Sequence, residues 1–401
     1  MKPSSPRRYP VLGTKGVVDL IESVPFFRPS VSEREIEAVV ETLRSGWLTT
    51  GPSTKDFERE FSAALGQQEL HSIAVNSATA ALHLGLEALG VGPGNEVILP
   101  TLTFTATAEV VRYLGAKPVF VDIEPHTLCI DVAAVEAAIT PETKVIMPVH
   151  FAGRSCDMTE LRALADRHGL RILDDAAHAL PAAHKGIAIG ADFADATAFS
   201  FYANKTMTTG EGGMLVTRDP TIAERARIMR LHGIDRDVFN RFTDKKASYF
   251  YDVVAPGFKY NLTDVASAMG RIQLTRIEEF HARRCALKSA YEERLAQLPL
   301  ILPPEAAPGD VHSWHLYIVQ LDKSAGVTRD SFAAALQAQN IGVSVHYRPL
   351  HQMTYWANIS RGEFPVSDAY FETCLSLPLF MDMTDAELDY VTDAIKGILG
   401  S

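Results

Sequence analysis

A single lysine and a pair of aspartates carry the most chemical information in this sequence. Lys205 stands in Ser200-Phe-Tyr-Ala-Asn-Lys205-Thr-Met-Thr-Thr-Gly210-Glu-Gly-Gly213, after an apolar run from Ala196 to Phe201 and before a Thr/Gly-rich turn. Asp174 and Asp175 close a second strand-like run that begins at Arg171, and His178 follows Asp175 by one helical turn. A lysine enclosed at a strand end gives up part of its charge, and its neutral amine can form a Schiff base with an aldehyde. A carboxylate at a neighbouring strand end can keep a ring nitrogen protonated. An amine and an acid so placed suit a flat, electron-poor pyridine that bears an aldehyde, which is the chemistry of pyridoxal phosphate.

Three further stretches supply what such a ring needs. Asn76-Ser77-Ala78-Thr79-Ala80-Ala81 opens a helix directly after a strand, and a helix N-terminus is an anion site. Plain N-capping by Ser77 explains its hydroxyl equally well. Ser200 can add a phosphate contact, and Phe104, at the start of the next helix, can stack on a flat ring. Each residue also has a simpler reading: a solvated lysine, a helix-capping aspartate, a core phenylalanine. Other features are set aside. Gly90-Val-Gly92-Pro-Gly94 follows a helix and reads as a C-cap turn. His346 and His351 stand five apart across a proline with no third ligand near, so no metal is expected.

The elements that must position these groups alternate. Strand-like runs at 73–75, 96–99, 118–123, 144–150 and 171–174 are separated by helical stretches at 79–89, 103–114, 132–139 and 158–168. That alternation predicts βαβ units and a parallel sheet, and apolar strands without alternation predict helices on both faces. Asp264 to Leu298 reads as one long helix, with Val265, Met269 and Ile272 on its buried side. After Pro303-Pro304 the texture becomes that of a smaller α+β unit.

With 401 residues, 47% hydrophobic and 22% charged, the chain has an ordinary globular composition. A net charge of −11 argues against general affinity for nucleic acid or anionic membrane. The four cysteines are scattered, as reduced thiols of a cytoplasmic protein would be. No apolar run approaches the roughly 18 residues of a membrane span. Lys15, Asp19 and Glu22 interrupt any signal-like core, so residues 1–25 read as an irregular arm.

Taken together, the motifs resemble those of the DegT-type family of pyridoxal-phosphate-dependent nucleotide-sugar aminotransferases. The resemblance runs from about Pro25 to the C-terminus. It is carried by Ser45 to Pro52, Ser77 to Leu82, Pro148 to Gly153, Asp175 to His178, Ser200 to Gly213, Leu231 to Gly233, Gly257 to Asp264, Trp314 to Leu316, Val345 to Tyr347 and Leu375 to Leu379. It implies an α/β fold of type I, with a large, mostly parallel three-layer domain at 26–263. A linking helix and a smaller α+β domain would follow at 264–401. It implies that Lys205 carries the cofactor as a Schiff base and that Asp175, rather than Asp174, pairs with the ring nitrogen. Ala78, Thr79 and Ser200 would hold the phosphate, Phe104 would stack on the ring, and His178 would lie close by. Asn261 would reach the phosphate in the other subunit of a homodimer. His346 and Gly51 would lie near the sugar nucleotide, with Arg230, Arg236, Lys259 and Arg348 as candidates for its diphosphate.

The implied reaction is a ping-pong transfer from L-glutamate to a nucleotide-linked keto sugar. The wording of Lys259 to Asp264 is most similar to enzymes that aminate C4 of a UDP-4-keto pentose. Two alternatives share the scaffold. Sugar dehydratases resemble the family but carry histidine where Lys205 stands, and a non-catalytic regulatory homologue would lack the lysine or the aspartate.

Overall fold

The computed structural model describes residues 21–66, 69–235 and 251–400. Its centre is a seven-stranded sheet in the order β1-β9-β8-β5-β4-β2-β3. The strands are β1 (His71–Val75), β2 (Glu96–Pro100), β3 (Lys117–Val121), β4 (Thr143–Ile146), β5 (Arg171–Asp175), β8 (Ala196–Ser200) and β9 (Gly213–Thr217). A two-stranded hairpin, β6 (Ala183–His184) with β7 (Ile187–Ala188), lies between β5 and β8 in sequence. Only β9 runs against its neighbours; the other strands of the main sheet share one direction.

Alternate side chains of each strand enter different cores, so both faces are dry. Ile73, Val75, Val97, Leu99, Leu173 and Leu215 pack in one cluster with Leu82 and Leu86. Ala74, Ile98, Ile172, Met214 and Val216 pack in the other with Phe57, Phe61, Leu161 and Leu164. The helices that supply them are α2 (Pro52–Ala64), α3 (Ala78–Ala88) and α6 (Met158–His168), with α4 (Ala106–Tyr113) and α7 (Pro220–Met229) also flanking the sheet. The helix α1 (Glu33–Ser45) and the short α5 (Val132–Ala138) lie at the periphery. Each leucine fully buried here contributes about 2 kcal/mol relative to an exposed one.

Asp264 to Leu298 is not one helix. It breaks at Thr275 and Arg276 into Asp264–Leu274 and Ile277–Leu295. Thr275 turns its hydroxyl back to the Ile272 carbonyl at 2.7 Å, and Arg276 leaves helical geometry at φ −107°, ψ 3°. Arg276 is held there by Glu35 at 2.9 Å. The first segment buries Asp264, Ser267, Ala268, Gly270 and Gln273, with Leu274 at its end, while Val265, Met269 and Ile272 stay partly exposed. Polar and small residues face inward because this segment crosses α1 and α2 closely. Cβ of any residue replacing Gly270 would come within 2.8 Å of the Phe57 ring.

The remainder builds a three-stranded antiparallel sheet, β10 (Leu300–Ile301), β11 (Tyr317–Leu321) and β12 (Cys374–Leu377). Its core includes Tyr291, Trp314, Tyr317, Phe332, Leu377, Leu388 and Ile395. A smaller cluster joins Leu102, Ile123 and Phe151 to Leu316, Ile318 and Tyr370, so the second sheet is packed against the carboxyl end of the first.

Candidate active site

The carboxyl ends of β1, β2, β5 and β8 and the start of β9 meet at one edge of the main sheet. Open α/β sheets bind ligands at such an edge. A cavity of about 330 Å³ lies there, within the range of small-molecule sites. Its lining includes Ala78, Thr79, Phe104, Asp175, His178, Ser200, Lys205 and His346.

Asp175 ends β5 and is buried. Its Oδ2 accepts from the Thr107 hydroxyl at 2.8 Å, and its Oδ1 from the Ala177 N–H at 3.1 Å. Burial raises the carboxyl pKa, and these two bonds together with the nearby Lys205 charge hold the rise in check. Thr107 is itself braced by Thr103 at 2.8 Å. Asp174 points the other way along the strand, toward His150 at 3.5 Å, where both are buried.

Lys205 is half-buried and lines the cavity, with the Asp175 charge acting on its amine. Burial pulls its pKa down to about 8, and the Asp175 charge offsets only part of that. At near-neutral pH such an amine exchanges its proton readily. His178 accepts or donates at Nε2 with the Tyr347 hydroxyl at 3.3 Å and lies 4.4 Å, ring to ring, from His315. Burial and the Lys205 charge push both imidazoles well below their usual pKa. His346 bonds the Ser376 hydroxyl through Nδ1 at 2.8 Å, and burial lowers it to about 4. The imidazoles around the lysine are therefore neutral at pH 7.

The start of α3 forms the opposite rim. Ser77, in extended geometry, accepts from the Ala80 N–H at 3.1 Å and caps the helix. The N–H groups of Ala78 and Thr79 are left without intrahelical partners and line the cavity. A Cβ on Gly213 would lie 2.5 Å from the Ser77 carbonyl carbon and 2.7 Å from the Ala78 nitrogen. Only glycine lets β9 pass this close to the helix start. Phe104 is exposed at the mouth, with its ring centre 6.0 Å from that of Tyr347.

Not every expected residue comes to the cavity. Gly51 caps α2, its N–H bonds Asp264 at 2.7 Å, and a Cβ there would strike the Trp47 ring. Arg230 Nη1 is tied to Glu58 and to the Ala74 carbonyl, behind β1, and Arg230 does not line the cavity of its own chain. Lys259 donates to Asn261 Oδ1 at 2.6 Å, and Asn261 donates to the Thr50 hydroxyl at 2.7 Å; neither lines the cavity of its own chain. Arg348 bonds the Gln352 carbonyl, and Arg236 lies outside the described residues. Conversely, Thr107, Tyr347, Tyr202, Asn204 and Glu211 line the cavity without having been singled out from the sequence. Thr103 and Thr107, four apart at the start of a helix after β2, were the available signal for the Asp175 support.

The residues fit pyridoxal phosphate: a half-buried amine for its aldehyde, a buried carboxylate for its nitrogen and free N–H groups for its phosphate share one cavity. Comparison with known proteins agrees. The model of the DegT/DnrJ/EryC1/StrS aminotransferase family matches residues 29–396. The spore coat polysaccharide biosynthesis protein SpsC of Bacillus subtilis is 44% identical over 381 residues, covering 94% of this chain and 97% of that protein. Spr1654 from Streptococcus pneumoniae in its PMP form is 35% identical with a TM-score of 0.87, covering 94% of this chain and 99% of that one. Its PLP form gives 0.86. DesI, solved in the presence of its TDP-sugar product, is 30% identical with a TM-score of 0.83, covering 94% of this chain and 92% of that one.

Proposed function

The chain belongs to the DegT/DnrJ/EryC1/StrS aminotransferase family and depends on pyridoxal phosphate, and from this premise we propose that it moves an amino group from L-glutamate to C4 of a UDP-linked 4-keto sugar. The observation that carries the reading is the meeting of Lys205, Asp175 and the start of α3 in one cavity. The TDP-sugar product of DesI supports a nucleotide-linked substrate. The name of SpsC, a spore coat polysaccharide biosynthesis protein, supports a place in cell-surface polysaccharide synthesis. No described helix is long and apolar enough to cross a membrane.

When bound, the cofactor supplies an aldehyde that accepts an amino group and a ring that draws electrons from the neighbouring carbon. The protein's part is positioning and proton movement. Asp175 would keep the ring nitrogen protonated, and the bonds from Thr107 and Ala177 to its oxygens favour its charged form against the burial that raises its pKa. The Ala78 and Thr79 N–H groups, with the Ser200 hydroxyl, would hold the phosphate, and Phe104 would stack on the ring; all four residues line the cavity. Lys205 Nζ takes the α-proton of the donor and returns a proton to the sugar carbon; a pKa of about 8 lets it do both. His178, oriented by Tyr347, stays neutral beside it and adds no competing charge. His346 lies at the sugar end.

The active unit in this reading is a homodimer, with residues 26–263 as the cofactor domain and 264–401 as the smaller one. Ile36, Leu43 and Leu48 are exposed around α1, beside the partly exposed Val265, Met269 and Ile272. Such an apolar face supports pairing with a second copy. Asn261 and Lys259, excluded from their own cavity, are then available to the partner's.

The test is to incubate pyridoxal-phosphate-loaded protein with L-glutamate, follow the loss of the near-visible band, and add a panel of nucleotide keto sugars. Mass spectrometry should show a UDP-4-keto sugar gaining the amine. Amination of 3-keto sugars alone overturns the C4 assignment. A band that survives glutamate but bleaches with another amino acid overturns the donor.

A further inference from the structure

Behind Lys205, a second and much smaller space adjoins the cavity. It measures about 20 Å³, is walled by Phe27, Phe280 and Phe380, and is also bordered by Asn204, Lys205 and Arg284. That is room for one water molecule. Asn204 and Lys205 border both spaces and so form the partition between them.

Arg28, Ser30, Thr206 and Thr208 also border this chamber, and two of its residues, Arg284 and Asn204, carry buried polar atoms without a partner among the described residues. Gln273 is fully used: it accepts from the Thr208 N–H at 3.2 Å and donates to the Ser30 carbonyl and Glu35 at 2.9 and 2.8 Å. Arg284 is buried at 5% exposure, and its Nη1 donates to the carbonyls of Trp314, His315 and Leu379 at 3.0, 3.2 and 3.2 Å. Its Nε is buried with no partner, and Asn204 Oδ1 is buried with no partner. No carboxylate pairs with Arg284 among the described residues. A leftover donor and a leftover acceptor on one water-sized chamber are complementary, and both are costly to leave unmade.

We propose that this chamber holds one permanently bound water, accepting from Arg284 Nε–H and donating to Asn204 Oδ1, and that through it Arg284 is a positioning residue for Lys205. The water keeps one hydrogen and one lone pair for the lysine side. It therefore gives the amine a polar neighbour in either protonation state: it donates to the neutral amine and accepts from the ammonium. An amine that must take a proton and then return it needs such a two-way partner. The cavity side offers Asp175, which only accepts when ionised. The positioning role rests on Lys205 being the cofactor lysine; the water itself does not.

Crystals of the full chain, with and without pyridoxal phosphate, test the water directly. Density within hydrogen-bond distance of both Arg284 Nε and Asn204 Oδ1 is expected in both, and its absence from the cofactor-free crystal overturns the proposal whatever the sugar. The role is tested by filling the chamber from Ala203, which borders it and not the active cavity. Ala203→Val should remove the density and lower kcat about tenfold, the worth of one hydrogen bond, at unchanged KM. Ala203→Ser should keep kcat, because its hydroxyl can stand in for the water. Equal losses in both variants, or full kcat in Ala203→Val without the density, overturn the positioning role. Failure of the sugar assay with the density present sinks the substrate reading and leaves the water standing.

Discussion

Two polar clusters in this molecule are built on opposite terms. At the start of α2, Asp264 accepts from the N–H groups of Gly51, Ser53 and Thr54 at 2.7, 3.1 and 2.9 Å and from the Thr54 hydroxyl at 2.6 Å. Every donor that faces the carboxylate is used. Around Lys205 the reverse holds: His178 Nδ1 and His315 Nδ1 are buried without a partner among the described residues, and burial pushes both imidazoles well below their usual range. A buried polar group normally finds a partner, so a cluster that leaves several unpaired is arranged for something that arrives. The satisfied cluster holds the fold, and the unsatisfied one handles ligands.

Removing the centre of each cluster separates them most strongly. Lys205→Ala should lower turnover by about 10⁴-fold or more while the thermal midpoint is kept or raised, since an amine whose charge is disfavoured by burial is removed. Steady-state rates and calorimetry on the same preparation check this. Asp264→Ala should do the opposite. Three backbone donors and a hydroxyl lose their acceptor, and stability should fall by about 3 to 5 kcal/mol, read as a shift in the urea midpoint. The fraction that remains folded should still load cofactor. Activity close to wild type in the first variant, or an unmoved midpoint in the second, erases the distinction.

The same contrast explains what the sequence disclosed. Strand ends in a βαβ pattern place their last residues at one sheet edge, so spacing and residue type brought the Asp174-Asp175 pair, Ser200 and the start of α3 to attention, while the preference for Asp175 came from the family resemblance. Gly51 and Arg230 were expected near the sugar, but each is taken by a partner distant in sequence, Asp264 and Glu58. Nothing local announces that an arginine is already paired. The break at Thr275 was hidden for a related reason. It depends on Arg276 reaching back to Glu35, a contact made only when α1 packs across the helix. Thr107 and Tyr347 were missed because hydroxyls that support another residue carry no charge pattern of their own.

Arg230 offers a finer cut between the two kinds of cluster. Its ion pair with Glu58 is only slightly exposed, at 13% and 14% for the two side chains. Arg230→Met should destabilise by about 2 kcal/mol, between the values for surface and buried pairs. The KM for the sugar nucleotide should not move. A raised KM with an unchanged denaturation midpoint would instead return Arg230 to the ligand side.

The smallest effect distinguishes the clusters by acid alone. His178, His315 and His346 are pushed below the usual imidazole range by burial and by the Lys205 charge, His346 to about 4. An unfolded imidazole titrates near 6.5, so between about 6.5 and 4 the unfolded chain binds protons that the folded chain refuses. Stability contributed by these groups is present above that window and is lost as pH falls through it. Glu35, the centre of a third cluster that is also fully bonded, behaves differently. Burial works against its charge, but Ser32, Arg276 and Gln273 bond it strongly enough to hold it at about 2. Its contribution is intact above about 4.5, the ordinary glutamate range, and is lost only as pH falls from there toward 2. Acid should therefore loosen the cavity before it releases Glu35 from its partners. Urea midpoints of the cofactor-free protein should decline between pH 6.5 and 4, and His346→Gln should flatten that slope without changing the steeper loss below it. A profile that stays level to pH 4.5 would mean that the cavity imidazoles are already partnered, and that the two clusters are built alike.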